Sequence, residues 1–235
     1  MSIALSELKM SQSLLTFMGV FWCLMAHAQT MPNPLLARSV VKIVASNAQH
    51  KTAMGSGVVV AKDQVVTNCH VTQGAHSIAV LKSAIFYKAL SQVVDGELDI
   101  CLLHVKNLPI PSVSLGSVAS ISINDKVFAY GYPNAVGISL QQGKVTKLFP
   151  YHSSQVIETT VGINHGASGG GLFDAKGKLI GLTTFFRSDN GGRFYAIPVD
   201  WLKKLIDQDG QAIEPFAAKP FWLVKNSFVQ QNSTE

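Results

Sequence analysis

Charge is scarce in this chain of 235 residues, with Lys, Arg, Asp and Glu making up 14% of it against 47% hydrophobic residues. A chain with so little charge and so much to bury folds around a core, so a disordered polypeptide is excluded. The formal net charge of +5 is modest, and it is scattered. No Lys/Arg cluster is longer than Lys203-Lys204 and no basic stripe carries interleaved aromatics, so no nucleic-acid partner is expected. Cysteine is sparse as well, with three in the chain. There is no repeat of fixed period, no low-complexity stretch and no alternation of strand with helix. Those absences exclude solenoids, flexible arrays and parallel α/β sheets.

The longest apolar stretch, LLTFMGVFWCLMAHAQT from Leu14 to Thr30, ends in the small-x-small pattern Ala26-His27-Ala28. Lys9 precedes it and the apolar part is short for a bilayer span, so residues 1–28 read as an export signal cleaved after Ala28. The alternative is an uncleaved membrane anchor. Glu7 offsets Lys9, which leaves a thin basic region and makes Met10 a second candidate start. After cleavage no stable membrane span is expected, and the product is periplasmic or secreted. Cys23 leaves with the signal, so Cys69 and Cys101 remain as a bridged pair or as buried thiols.

The rest is a series of short β-branched or alternating runs bounded by Gly, Pro, Asn and Asp: SVVKIVAS, GSGVVVA, QVVTNCHV, SIAVLK, DICLLHV, KVFAYGY, SLQQGKVTKL, VIETTVG, KLIGLTTFF and RFYAIPV. Such a succession predicts an all-β barrel or sandwich. One segment reads as helix, where Trp201, Leu202, Leu205 and Ile206 share a face between Asp200 as N-cap and Gly210 as stop. The stretch NLPIPSVSLGS, residues 107–117, suits a connector between two halves. The tail after Gly210 carries no assignable pattern.

One loop stands out chemically. In HGASGGGLFD, His165 to Asp174, Ser168 stands among Gly166, Gly169, Gly170 and Gly171. Glycines permit positive φ and close approach of another chain, which suits an exposed nucleophile with backbone N–H groups aimed beside it. A plain Gly/Ser turn is the alternative. A serine nucleophile needs a base and a group to orient that base. His50, His70, His76, His104, His152 and His165 are the candidate bases, and His70 differs by its setting VVTNCHV, where an apolar strand ends in the polar pair Thr67-Asn68 and the imidazole follows at once. The candidate orienter is Asp99, an acid heading the apolar run DICLLHV. A buried carboxylate is costly unless paired, and an imidazole N–H would pair it. Taken alone, a strand-end histidine such as His70 is more often a structural residue than a base, and Asp99 reads equally as an acid bonded to backbone N–H groups.

The ordered set GSGVVV, VVTNCHV, LDICLL, AYGYP, GKVTKL, IETTVGINHGASGGGLF, KLIGLTT and FYAIPV, covering roughly residues 38–206, resembles the trypsin-like serine proteases, most of all the bacterial HtrA (Deg) branch. The resemblance implies two six-stranded antiparallel β-barrels of chymotrypsin-like fold with a short C-terminal helix. It divides the chain into a first barrel over 29–113, a second barrel with the helix over 114–210 and a tail over 211–235. It implies a serine endopeptidase acting on polypeptides. Ser168 would be the nucleophile, His70 the base and Asp99 its orienter, with the N–H groups of Gly166 and Ser168 as the oxyanion hole. No cofactor and no metal is called for. The substrate pocket would draw on Val161, Gly162, Ile163, Thr183, Thr184, Phe185 and Arg193. No acid stands at Gly162, so cleavage after Lys or Arg is not expected. Small or medium apolar residues are, unless Arg193 turns inward and selects acidic ones. Cys69 and Cys101 would run close together in the first barrel.

Two departures stand against the usual GNSGGP or GDSGGP, namely Ala167 and Gly171, and both remove constraints from the loop. HtrA proteins carry a PDZ domain after the protease. The residues after 206 are too few for one, so substrate selection is expected to rest on the cleft or a partner. Two rival readings exist. A metal site from Cys69, His70, Cys101 and His104 fails because Cys101 and His104 would face opposite sides of one strand. A catalytically silent binding module with the same fold stays open.

Overall fold

The computed structural model describes residues 32–187 and 193–224, which form part of one compact unit. The proposed signal at 1–28 lies outside them. The first barrel is built from β1 (Val40–Ser46), β2 (Thr52–Ala61), β3 (Gln64–Thr67), β4 (Ser77–Lys82), β5 (Ile85–Asp95) and β6 (Ile100–Val105). Its strands follow the order β5-β4-β1-β2-β3-β6, and β5 pairs with β6 to close it. The second is a closed barrel of β7 (Lys126–Gly131), β8 (Ser139–Tyr151), β9 (Ser154–Thr159), β10 (Gly171–Asp174), β11 (Leu179–Arg187) and β12 (Arg193–Pro198). All pairings within the two barrels are antiparallel. The expected all-β chymotrypsin-like architecture is the observed one.

β-branched residues dominate the inward positions. Val41, Ile43, Val59, Val65, Val80 and Leu103 fill the first barrel, and Val127, Val145, Ile157, Leu172 and Ile180 fill the second. A third cluster runs between them, joining Val58, Val66, Ile100 and Leu102 of the first barrel to Tyr130, Phe173, Leu182 and Trp201 of the second. The barrels are therefore fused through a shared core.

Two strands escape the sequence pattern. β5 buries its residues irregularly and exposes Phe86 and Leu90, with a register shift at Ala89/Ser91, so neither alternation nor a continuous apolar run marks it. β10 is four residues long and hides behind the glycines that precede it. The C-terminal helix is a 3-10 helix over Val199–Lys204 that buries Trp201 and Leu202. Asp200 is not its N-cap. Its carboxylate instead accepts from Ser117 Oγ at 2.6 Å and Val118 N at 2.9 Å, tying the helix to the connector. Along that connector the hydrogen bonds pass from the first barrel to the second, from Val59 O at Val113 to Leu179 O at Gly116. The tail, which had no legible pattern, adds β13 (Gln211–Ala212) to the edge of β5 and then runs back along the first barrel.

Candidate active site

After Thr67 the chain leaves the sheet, and Asn68 opens α1, a single turn over Cys69–Thr72 that carries His70. The strand ends at the polar pair Thr67-Asn68, as the sequence led one to expect, and the imidazole follows at once. Asn68 is fully buried, and its side-chain amide donates to Asp99 O at 3.0 Å and Thr184 Oγ1 at 3.1 Å, which forces the turn. A disulfide joins Cys69 to Cys101, so the residue before His70 is tied to the strand that starts after Asp99. With both sulfurs bridged, neither is a thiolate available to a metal.

Asp99 has φ 58°, in the left-handed region where Asp is among the residues better tolerated. Its side chain is wholly buried. Oδ1 accepts the backbone N–H of His70 at 2.9 Å, and Oδ2 lies 2.7 Å from His70 Nδ1. An ionised carboxylate only accepts, so Nδ1 carries the hydrogen and Nε2 is left as the basic nitrogen. Trp222 Nε1 donates to the same Oδ2 at 3.2 Å.

Ser168 comes from the second barrel, on the loop ahead of β10. A residue of the first barrel holds that loop. Ser56, fully buried on β2, donates its N–H to Ser168 O at 2.7 Å and its hydroxyl to Gly166 O at 2.8 Å, while accepting from Tyr132 N at 2.9 Å. From within the second barrel, Thr183 Oγ1 donates to Ala167 O at 2.6 Å. None of these bonds uses the side chain at 167, so Ala167 leaves the loop pinned. Gly169 adopts φ +82°, and a Cβ there would fall 2.2 Å from Ser56 O. Only glycine fits.

The His165 carbonyl accepts from Asn134 N at 2.6 Å, which turns it toward the Pro133–Ala135 turn. Among the described residues the N–H groups of Gly166 and Ser168 donate to no protein acceptor. One of these donors is the serine's own amide and the other lies two residues before it. The Ser168 hydroxyl itself donates to Thr184 O at 3.2 Å, and no hydrogen bond joins it to His70.

His70 and Ser168 line one cleft, whose walls include Ile163, Thr184, Phe185 and Trp222. A smaller pocket adjoins it behind Ala167, bounded by Gly162, Ile163 and Thr183. The other two expected pocket residues lie elsewhere. Val161 is buried in the second barrel's interior, and Arg193 reaches Glu158 at 3.9 Å. Glu158 also accepts from Thr146 Oγ1 at 2.8 Å and Tyr195 OH at 3.0 Å. Burial, together with the adjacent Glu158 charge, pushes the Tyr195 phenol up to about 12.

Sequence reasoning missed Ser56 and Trp222. The first had a faint signal, a small polar residue between two glycines heading an apolar run. The second lay in the unpatterned tail.

A trypsin-like peptidase domain model matches residues 55–182. A probable periplasmic serine endoprotease, DegP-like, of Buchnera aphidicola is 32% identical over 177 residues, covering 69% of this chain and 37% of that protein. The serine endoprotease DegS of Salmonella typhimurium is 30% identical over 189 residues, covering 73% of this chain and 53% of its own length. The chain thus spans between about a third and a half of the length of these relatives. Among solved structures, the HtrA-type protease AlgW with a tripeptide superposes with TM-score 0.66 at 29% identity, over 72% of this chain and 59% of that one. The fold is also that of the Rv3671c protease from M. tuberculosis in its active form, with TM-score 0.69 at 22% identity, over 77% of this chain and 88% of that one.

Proposed function

This chain belongs to the trypsin-like peptidase family, with HtrA-type serine proteases among its relatives, and on that footing we propose that it is a serine endopeptidase using Ser168, His70 and Asp99. The observation that carries the reading is the 2.7 Å contact between His70 Nδ1 and the buried Asp99 Oδ2, in a cleft that also holds Ser168.

The chemistry runs as follows. Ser168 Oγ leaves Thr184 O, rotates to His70 and attacks the carbonyl carbon of a bound peptide while its proton passes to His70 Nε2. The imidazolium so formed is stabilised by Asp99, which stays ionised. The carbonyl oxygen becomes an oxyanion that accepts the N–H groups of Gly166 and Ser168, and losing one such donor costs roughly 10²–10³ in kcat in comparable sites. The C–N bond then breaks, His70 gives its proton to the leaving amine, and an acyl-Ser168 ester remains. Water attacks that ester with His70 again as base, releasing the acid and restoring the hydroxyl. A resting hydroxyl bonded away from the base is compatible with this cycle, because such bonds tighten in the substrate complex. It is also the observation favouring the second reading, a silent binding module.

For the substrate, Ile163 and the open face at Gly162 suit a small or medium apolar side chain. Glu158 neutralises Arg193, which argues against selection of acidic residues. The name of the periplasmic DegP-like relative supports export, with residues 1–28 as the segment that would direct it. The expected outcome for Ser168→Ala is loss of unfolded-casein digestion with an unchanged melting temperature, since the loop needs no side chain there. Digestion at the parental rate would refute the assignment.

A further inference from the structure

We propose that Trp222, delivered by the C-terminal segment, is a positioning residue for the Asp99–His70 pair. The inference rests on the protease reading above. A buried carboxylate needs donors on both oxygens to stay ionised in one orientation. Asp99 is 0% exposed, and its oxygens receive three donors: the His70 backbone N–H on Oδ1, and His70 Nδ1 with Trp222 Nε1 on Oδ2. The neighbouring hydroxyl of Thr184 cannot replace the indole. It donates to Leu182 O at 2.8 Å and accepts from Asn68, so its one proton is spent.

Packing fixes the indole where it can do this. Its ring meets His70 edge-on at 5.7 Å and 87°, and stacks on Phe185 at 4.9 Å and 15°. Phe185 in turn stacks on Tyr195 at 4.7 Å and 14°. The segment that brings Trp222 here is anchored along its length. β13 pairs Gln211 and Ala212 with Gln92 and Ser91, Phe216 N donates to Gln73 O, and Phe221 N donates to Glu97 O. Phe221 is buried and stacks on Tyr151 at 4.4 Å. A chain segment outside both barrels thus supplies the third bond to the orienting acid, and the same ring walls the cleft beside the base.

The test compares the full chain with Trp222→Phe, which keeps a ring and removes the donor, and with Trp222→Ala, which removes both. On a peptide ester with an apolar residue at the cleaved position, Trp222→Phe should lower kcat about tenfold, as expected for a hydrogen bond to a charged group, with KM within about twofold. Trp222→Ala should lower kcat and raise KM as well, because the cleft loses a wall. Independently of activity, the indole N–H resonance of Trp222, assigned by its absence in Trp222→Phe, should move in Asp99→Asn and stay in Ser168→Ala. Parental kcat in Trp222→Phe, or an indole resonance blind to Asp99→Asn, would overturn the proposal. If the parent turns over no substrate, the protease reading fails, and the resonance alone decides whether Trp222 positions Asp99.

Discussion

Asp99 is held by more partners than its role as an orienter strictly needs, and that makes its replacement informative. Asparagine tolerates the same left-handed backbone and is nearly the same size, so Asp99→Asn should fold. With its amide nitrogen at the Oδ2 position it would face both the His70 Nδ1 hydrogen and the indole N–H, forcing the other imidazole tautomer, and at the Oδ1 position it would face the His70 backbone N–H. The expected fall in kcat is roughly 10⁴-fold, checked by steady-state kinetics beside an unchanged circular dichroism spectrum. A mild effect would mean that Asp99 only satisfies backbone donors. Tyr195 gives a second residue-scale prediction. Its phenol titrates near 10.0 when free and is raised to about 12 in the fold, so the folded state favours the protonated form. Its stabilising contribution is complete below pH 10 and is lost as pH rises toward 12. Urea unfolding across that window should show a shallower alkaline loss in Tyr195→Phe than in the parent. Catalytic-type residues were legible at this scale because composition around them is unusual: glycines beside Ser168, an acid heading an apolar strand at Asp99. Trp222 was not, and Ser56 only faintly, because each acts on a partner more than a hundred residues away.

Elements decide how well those residues are held. α1 is a single turn, far too short to be stable alone, and it owes its place to Asn68 and to the Cys69–Cys101 bridge. The bridge spans a sequence separation of 32, for which loop-closure entropy gives about 3–4 kcal/mol. Replacing both cysteines with alanine should lower the unfolding free energy by about that amount, measured by urea titration. Because the bridge ties His70's turn to Asp99's strand, kcat should fall as well. A double variant as stable as the parent would remove the bridge from the account. Most elements were readable from β-branched runs between turn residues. β5 was not, since its outward Phe86 and Leu90 break the alternation expected of a half-buried strand. The helix after β12 was legible, and it is a 3-10 helix over Val199–Lys204. Leu205 and Ile206 of the expected apolar face lie past its end, and Asp200, the apparent cap, is drawn away to Ser117 and Val118.

At the scale of the molecule, one cleft draws on three separate parts of the chain: His70 and Asp99 from the first barrel, Ser168 from the second, and Trp222 from the segment beyond both. The shared core between the barrels and the three bonds of Ser56 to Ser168, Gly166 and Tyr132 keep the first two in register. This joining was legible only through the ordered resemblance of the motifs, since no local pattern tells which strands of two barrels will meet. The claim that the assembled site is a working acyl-transfer centre is tested most directly by reaction with a fluorophosphonate, which labels only a serine activated by its base. The folded parent should gain one adduct, located by tandem mass spectrometry at Ser168, and His70→Ala should gain none. A folded parent that stays unlabelled, or an adduct at any other serine, would contradict the account.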